Sequence, residues 1–396
     1  MLLHIGPYKT GSTSLQAALF AARPEFEKSG VYYPGSWRRA MRPGWAVMGW
    51  SPRGRKVPPI GVWEKFADDV RQHHDMRTCV STEDFGAVVD QATRIVQDLG
   101  DERVHVVSVA RRMDQLLPSA WQERVKSHDE RPFSTWLEEI LGDPDSVAHR
   151  AFWRSQDTVA QAERWLKAVP PERYHVITTD NSDRALLFRT FEGLLGLPDG
   201  LLQPTPVTNA SLSANAVELL RQLNVEFRER GWDDSLYHDL VHRGVIPGMA
   251  DRPADAPAES VPRVPSWALP ALVEIGQRAA DGLAALGVDI IGDPATLVPP
   301  APPEAKDDAV SPEVISVVEA RGAVTGAVEA ALEAASVKEE KHRAALGRAR
   351  RKARRKARTA AGRSAPGPSL ASSSGRELAG ELLQRVRARI PNRFRQ

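Results

Sequence analysis

The sequence predicts an α/β protein with a parallel central sheet flanked by helices and a helical or disordered, basic C-terminal tail. Three observations predict this class. Short apolar runs alternate with helical patterns, a glycine-containing turn joins the first apolar run to the first helical pattern, and Lys and Arg are concentrated at the C-terminus. Near-continuous apolar strands that alternate with helices are typical of parallel sheets that are covered on both faces.

Five strands are predicted in the first half of the chain, at Leu2–Ile5, Val31–Tyr33, Thr78–Ser81, Val104–Val109 and His175–Thr179. Apolar residues at helical spacing predict the helices Thr13–Ala22, Phe85–Leu99, Gln115–Lys126, Thr158–Lys167, Arg184–Leu195, Ser211–Arg230 and Ala268–Leu286. The segment Pro34–Pro59 contains three Trp and five Arg among Gly and Pro, and we expect a long loop near the working edge of the sheet.

The charge of the chain is unevenly distributed. The formal net charge of the 396 residues is +2, but residues 341–396 contain 17 Lys and Arg against two acids, which leaves −13 for residues 1–340. Residues 292–311 are rich in Pro and Ala, and composition beyond them favours helix from about Glu313 to Arg358 and from Arg376 to Ile390. The predicted organisation is therefore an α/β domain at 1–291, a linker at 292–311 and a basic tail at 312–396.

Cysteine content and hydropathy exclude several classes. With Cys79 as the single cysteine, the chain forms no internal disulfide and no Cys-rich metal site. No signal-peptide pattern precedes the first strand, and no run of 18 apolar residues occurs. We expect a cytoplasmic protein whose tail can reach the inner face of a membrane.

The turn after the first strand has the spacing of a phosphate-binding loop. In HIGPYKTGSTSLQ, Gly6 and Gly11 are separated as in the nucleotide loop G-x-x-x-x-G-K-[ST], but Ser12 occupies the lysine position and the loop lysine is Lys9. Glycine lets the backbone approach an anion, and the N–H groups and dipole at the start of a helix favour negative charge. We therefore expect a phosphate-type anion site that is built for a ligand other than a triphosphate–metal complex.

The stretch GPYKTGSTSLQ resembles the 5′-phosphosulfate loop of sulfotransferases, G-x-x-K-[TS]-G-[TS]-[TS], in which lysine stands three residues after the first glycine. The same family has a strand that ends in Arg, with Ser eight residues later in a helix, and VVSVARRMDQLLPSAWQE supplies Arg111 and Ser119 at this spacing. Arg112 and Met113 replace the Asn-Pro that often follows, so either Arg111 or Arg112 can be the phosphate ligand. The resemblance extends over about residues 1–235.

The resemblance implies a P-loop sulfotransferase-like fold and transfer of a sulfuryl group from 3′-phosphoadenosine 5′-phosphosulfate (PAPS), without a metal, to a hydroxyl or amine. It implies that Lys9 stabilises the charge that develops on the bridging oxygen. The donor ligands that it implies are Gly6, Lys9, Thr10, Gly11, Ser12, Thr13, Arg111 and Ser119.

The catalytic base is predicted from position. Glu83 follows the third predicted strand at the carboxyl edge where such sheets bind ligands, and burial there would raise its pKa toward the working pH. Glu83 could instead cap the helix that follows or pair with an arginine. His73 and His74 are alternatives at the wrong end of the strand, and His4 is expected to pack or to orient other groups.

Other functions stay open at this point. A small-molecule kinase would need a lysine after Gly11 and a clear magnesium aspartate, and an inactive binding protein would not need to retain Lys9, Arg111 and Ser119. The acceptor is a glycan, a lipid or a small molecule that the sequence does not identify further. The basic run RARRKARRKARTAAGR has no aromatic residues among its arginines, which disfavours nucleic acid, whereas the amphipathic basic segment that follows suits an anionic membrane surface.

Overall fold

The structure is a computed structural model that describes residues 1–52, 55–179, 183, 185–204, 212–251, 262–300 and 317–361. Its centre is a six-stranded sheet in which every pair of neighbouring strands is parallel. The strands are β1 (Leu2–Gly6), β2 (Val31–Tyr32), β3 (Arg77–Ser81), β4 (His105–Arg111), β5 (Tyr174–Thr179) and β6 (Asp289–Ile291). The predicted class, a parallel sheet flanked by helices, is confirmed.

The strand order is β2-β3-β1-β4-β5-β6, with β1 in the middle. The chain builds β2 and β3 on one side of β1 and then crosses to place β4, β5 and β6 on the other. The β1/β4 boundary is therefore the point where the winding direction reverses, and ligands of open α/β sheets bind outside the carboxyl ends of the strands at such a point. The loop after β1 and the end of β4 meet there.

The α-helices are α1 (Ser12–Ala21), α2 (Arg23–Phe26), α3 (Met41–Met48), α4 (Gly61–Gln72), α5 (Ala92–Leu99), α6 (Met113–Lys126), α7 (Phe133–Gly142), α8 (Val147–Gln156), α9 (Thr158–Trp165), α10 (Leu186–Leu195), α11 (Ala214–Glu229), α12 (Asp234–Tyr237), α13 (Ile246–Ala250), α14 (Leu269–Ala285) and α15 (Val317–Ala361). A π-helix, His238–Val245, joins α12 to α13. Short 3₁₀ turns occupy several connections, among them Glu83–Ala87 after β3.

Alternate residues of the central strands face opposite layers of helix, which explains their near-continuous apolar sequence. Leu3 and Ile5 pack into a core with α3, α4, α5, α9 and α14, whereas Leu2 packs on the other face with α1, α2 and α10. All three side chains are buried. The sheet is thereby fixed from both sides, and the loops at its carboxyl edge are held on a rigid base.

A second core lies beside the sheet and is built from helices alone, chiefly α6, α7, α8, α11 and the 237–250 region. The first turns of α15 pack onto this core through small residues. A Cβ atom added to Gly326 would lie 2.7 Å from the carbonyl carbon of Gly244, and one added to Gly322 would lie 2.9 Å from that of Gly248. Only glycine allows backbones to approach so closely, so these two pairs fix where α15 begins to pack.

The compact unit that contains the sheet runs from Met1 to Ala331, and a second unit begins at Leu332. Leu297 is buried in the main core, and Glu319, near the start of α15, is buried and accepts a hydrogen bond from the hydroxyl of Ser213. The first unit therefore extends beyond the predicted boundary at residue 291. Residues 301–316 of the predicted linker and tail lie outside the described residues.

Two local predictions differ from the structure. The predicted helix Phe85–Leu99 is a 3₁₀ turn followed by the shorter α5, because Gly86 at the turn packs against the backbone of β1 and the following loop. The predicted loop Pro34–Pro59 contains α3, whose Trp45 is buried, while Trp37 and Trp50 are about half exposed. The predicted helix Arg376–Ile390 lies outside the described residues, and no described helix is long and apolar enough to cross a membrane.

Candidate functional site

The loop between β1 and α1 is held by its own hydroxyl groups. Thr10 and Ser12 both donate to the carbonyl of Pro7, at 2.6 and 3.1 Å. Gly6, Lys9 and Gly11 all have left-handed backbones, with φ of 86°, 68° and 96°. Left-handed backbone is unfavourable for a residue with a side chain, so the conformation of Lys9 is a strained feature at the centre of the loop.

The start of α1 leaves backbone donors available to a ligand. Gly11 is the N-cap and has no side chain to accept from the first turn, and the first intrahelical hydrogen bond runs from the N–H of Leu15 to the carbonyl of Gly11 at 3.1 Å. The N–H groups of the turn before Leu15 have no intrahelical acceptor. Together with the helix dipole, they favour an anion at this point.

Buried polar groups beneath the loop fix its base. The Ser81 hydroxyl lies 2.8 Å from Nδ1 of His4 and accepts from the Gln16 amide at 3.0 Å. Because Ser81 accepts from Gln16, its own proton is available to His4 Nδ1. Burial lowers the pKa of His4 to about 3, so the ring is neutral and can accept. The three residues join β1, β3 and α1, and His4 orients these elements as the sequence predicts.

Arg111 connects the two predicted motifs. It is the last residue of β4, and its guanidinium donates to the carbonyl of Lys9 at 3.0 Å. Arg112 points to a different partner, because its Nε donates to Asp114 on the first turn of α6 at 2.7 Å. Of the two candidate arginines, Arg111 is therefore the one that contacts the loop.

The side chain of Lys9 meets α6 rather than open solvent. Its Nζ lies 2.7 Å from Oε2 of Glu123. Burial acts to raise the pKa of Glu123, but the Lys9 ammonium beside it lowers that pKa below its ordinary value, so Glu123 is ionised. Ser119 lies one helical turn before Glu123, and residues four apart share a face of a helix, so Ser119 faces the same side of α6 as the loop.

Glu83 lies directly beside the first loop glycine. A Cβ atom on Gly6 would lie 2.9 Å from both Cα and Cβ of Glu83. The carboxylate of Glu83 pairs with Arg39, so pairing with an arginine, which the sequence left open, is what the structure contains. Burial raises the pKa of Glu83 above its ordinary value, with Asp84 and Glu123 adding to the increase and Arg39 and Lys9 opposing it.

The loop at 34–59 supports the turn that carries Glu83. The indole of Trp45 donates to Asp84 at 3.2 Å, and the backbone N–H of Ala40 donates to the carbonyl of Ser81 at 3.1 Å. Arg39 therefore reaches Glu83 from a segment that is itself bonded on both sides of Glu83, at Ser81 and at Asp84. Burial also raises the pKa of Asp84.

The structure thus brings Gly6, Lys9, Gly11, Arg111 and Glu83 to one edge of the sheet, with Ser119 on the helix that faces it. The prediction of their roles as donor ligands and base stays a prediction. Sequence reasoning missed Arg39 and Glu123. Both belong to polar segments with no motif. Glu123 reaches the site because β4 and α6 lie next to β1, and Arg39 reaches it because the segment before α3 approaches β3.

His73 and His74 lie at the other end of β3 from Glu83, where His73 stacks on Tyr32 with ring centroids 3.6 Å apart. Among the described residues, no group of three or more His, Cys, Asp or Glu side chains is arranged to hold a metal ion. Chemistry without a metal stays a prediction from the resemblance.

Comparison with known proteins gives a weak structural likeness. No protein-family profile matches the chain, and no curated protein matches it. The crystal structure of a sulfotransferase from Alicyclobacillus acidocaldarius is similar over 60% of this chain and 98% of that chain, with 14% sequence identity and a TM-score of 0.39.

Proposed function

We propose that this protein is a sulfotransferase that uses PAPS as donor and a hydroxyl or amine of a glycan, lipid or small molecule as acceptor. The observation that carries the proposal is the hydrogen bond from Arg111 to the carbonyl of Lys9. Two motifs about a hundred residues apart in sequence resemble the two halves of a PAPS site, and this contact places them at one point of the sheet.

The chemistry of the site fits such a donor. PAPS carries anionic groups at both ends of its ribose, and it supplies the sulfuryl group and an adenosine bisphosphate leaving group. The free N–H groups at the start of α1 and the exposed hydroxyl of Thr13 suit the 5′-phosphosulfate end, while the buried hydroxyl of Ser12 holds the loop through Pro7. The guanidinium of Arg111 and the hydroxyl of Ser119 suit the 3′-phosphate, since the planar fork of arginine matches phosphate oxygens.

The residues of the chain then have distinct tasks. Lys9 stabilises the negative charge that grows on the bridging oxygen as the bond to sulfur breaks, an effect that typically contributes about 10²–10³ in rate. Glu83 accepts the proton of the attacking hydroxyl, because its raised pKa makes it a better base than an exposed glutamate. Glu123 fixes the Lys9 ammonium at the loop, and Arg39 orients Glu83.

The direct test is Lys9→Ala. Alanine has a Cβ, as lysine does, and is about as unfavourable in left-handed backbone. The substitution therefore removes the ammonium without changing the strain of the backbone at this position. Transfer from isotope-labelled PAPS to glycan and lipid fractions of a cell extract is expected to fall about 10²–10³-fold, with an unchanged melting temperature. Lys28→Ala is the control, because Lys28 is exposed and pairs only locally, with Glu25. Full transfer by the Lys9 variant would refute the role of the loop.

A ligand comparison separates this proposal from the two alternatives. We expect adenosine 3′,5′-bisphosphate to raise the melting temperature and ATP with Mg²⁺ to leave it unchanged. The reverse result would favour a small-molecule kinase, and no response to either ligand would favour an inactive binding protein. For residues 341–396 we retain the proposal of contact with an anionic membrane surface, which liposome flotation of the full chain against one ending at Pro302 would test.

A further inference from the structure

Two ammonium groups share one carboxylate beside the loop. Oε2 of Glu123 lies 2.7 Å from Nζ of Lys9 and 4.0 Å from Nζ of Lys126. The Lys126 side chain is only 17% exposed, so it gives up much of its hydration. Among the described residues, the charged groups that act on Lys126 are Glu123, which favours its ammonium form, and Lys9, which opposes it. The three groups together keep one positive charge that has no counter-ion within the cluster.

A histidine lies on the same side of α6 as this excess charge. The π-helix His238–Val245 carries His242, which is exposed, acts electrostatically on Glu123 and is itself acted on by Lys126. Its ring centroid is 5.4 Å from that of Tyr237. The remaining groups that act on it are His238, on its own helix, and His128, which stacks on Tyr237 at 3.6 Å. Because the rings of His242 and His128 both contact Tyr237, and His128 follows Lys126 by two residues, His242 adds a further hydrogen-bond donor in the neighbourhood of Lys126.

The form of this segment is itself unusual. π-helices are rare and occur frequently at functional sites. Gly244 of the π-helix and Gly248 of α13 contact α15 closely, and Val241 and Val245 of the π-helix belong to the same core as α6, which carries Glu123 and Lys126. His128, in the connection after α6, has a left-handed backbone with φ of 72°. Uncommon backbone thus occurs on the element that bears His242 and directly after the element that bears Lys126.

Building on the proposed function, we propose that Lys126 and His242 form a subsite that binds an oxyanion of the acceptor, a carboxylate or a phosphate close to the hydroxyl that is modified. Lys126 supplies a point charge and His242 a directional donor. Glu123 separates this subsite from Lys9, so the acceptor's anion is held away from the lysine that serves the donor. With a neutral acceptor, the excess positive charge of the cluster would gain no counter-ion.

The first test measures acceptor-type ligands by calorimetry on the full chain saturated with adenosine 3′,5′-bisphosphate. Glucuronate and glycerol 3-phosphate provide the carboxylate and the phosphate, and glucose and glycerol are their neutral counterparts. We expect at least one anion to bind about tenfold or more tightly than its neutral counterpart. The anion that binds better distinguishes an acidic sugar from a phosphate headgroup. Equal affinity for the charged and neutral members of both pairs would overturn the subsite.

The second test locates the binding. Lys126→Met keeps the apolar stem of the side chain, and His242→Gln keeps a polar group at an exposed position. Each is expected to weaken anion binding about tenfold while the bisphosphate still raises the melting temperature as in the natural chain. Lys65→Gln, at an exposed lysine of α4, is the control and is expected to change neither quantity. Unchanged anion affinity in the His242 variant would refute its role even where the Lys126 variant fails to fold.

The two proposals fail in different ways. Where the natural chain does not respond to adenosine 3′,5′-bisphosphate, the donor assignment fails, and the same anion titrations without the bisphosphate then decide on the subsite alone. Where the bisphosphate binds but the anions do not, the sulfotransferase proposal stands and the subsite is refuted.

Discussion

Gly6 and Glu83 are in such close contact that a single added carbon at Gly6 would lie 2.9 Å from the backbone of Glu83. The first glycine of the loop therefore also packs against the residue that is predicted to be the base. We expect Gly6→Ala to disturb both the backbone of the loop and the position of Glu83. The cost is about 1–2 kcal/mol for alanine in left-handed backbone and about 1–3 kcal/mol for the overlap, measured as the loss in free energy of unfolding by urea.

Gly30→Ala is the matched control for this substitution. Gly30 also has left-handed backbone, with φ of 68°, but no atom lies within 4 Å of where its Cβ would be. It should show only the backbone cost of about 1–2 kcal/mol and keep the response to adenosine 3′,5′-bisphosphate. Equal losses in the two variants would mean that the contact with Glu83 is unimportant.

Arg111 and Arg112 should differ in their effect on nucleotide binding. Arg111→Lys removes the fork that contacts the loop, whereas Arg112→Lys alters a residue bonded to Asp114. A hydrogen bond to a charged group contributes about 1.5–3 kcal/mol, so we expect about a tenfold to a hundredfold loss of bisphosphate affinity for Arg111→Lys by calorimetry. Arg112→Lys should lose less than this. Affinity for adenosine 5′-monophosphate should be similar in all three proteins if Arg111 serves the 3′-phosphate, and a parallel loss there would argue against that role.

The pH dependence of transfer should identify Glu83 as the base. A base acts in its deprotonated form, and burial raises the pKa of Glu83 above its ordinary value. As pH falls through that raised pKa, kcat/KM should therefore decline, at a higher pH than an exposed glutamate would give. Glu83→Gln should reduce turnover more than bisphosphate binding and remove this acid limb.

Asp84→Asn is the comparison for Glu83→Gln, because Asp84 is the neighbouring carboxyl and its pKa is also raised by burial. It bonds to Trp45 and should affect stability rather than the acid limb. An acid limb that survives Glu83→Gln and disappears in Asp84→Asn would transfer the role of base to Asp84.

The glycines of α15 should respond to alanine with opposite signs. Gly326 faces the backbone of Gly244, so Gly326→Ala is expected to cost about 1–3 kcal/mol of stability, seen as a lower melting temperature. At Gly347 the nearest atom to an added Cβ is at 3.9 Å and belongs to the flexible side chain of Arg351. Gly347→Ala should therefore favour helix by about 1 kcal/mol and raise the helical signal in circular dichroism. A destabilised Gly347 variant or an unaffected Gly326 variant would contradict this description.

The sequence predicts the strands of this fold well because buried parallel strands consist of nearly continuous apolar residues. It predicts the loop because spacing between glycines is a local property. It does not predict β6, which has three residues and begins with Asp289. Nor does it predict that Lys9 bonds to Glu123, since this contact joins residues 114 positions apart and depends on how β4 and α6 are placed. The predicted helix Phe85–Leu99 was wrong for a different reason. Close packing of Gly86 on the β1 edge overrides the helical periodicity there.

The strand crossing also has a consequence for when the site comes into existence. Glu83, at the end of β3, and Arg111, at the end of β4, flank the β1 loop from opposite sides, and Arg111 makes its contact only after β4 has paired with β1. Such long-range pairing follows the closure of a large chain loop and is slow compared with the formation of local helices. A chain that emerges residue by residue therefore completes α1 long before the proposed nucleotide site can exist, and that site is assembled at a late, non-local step of folding.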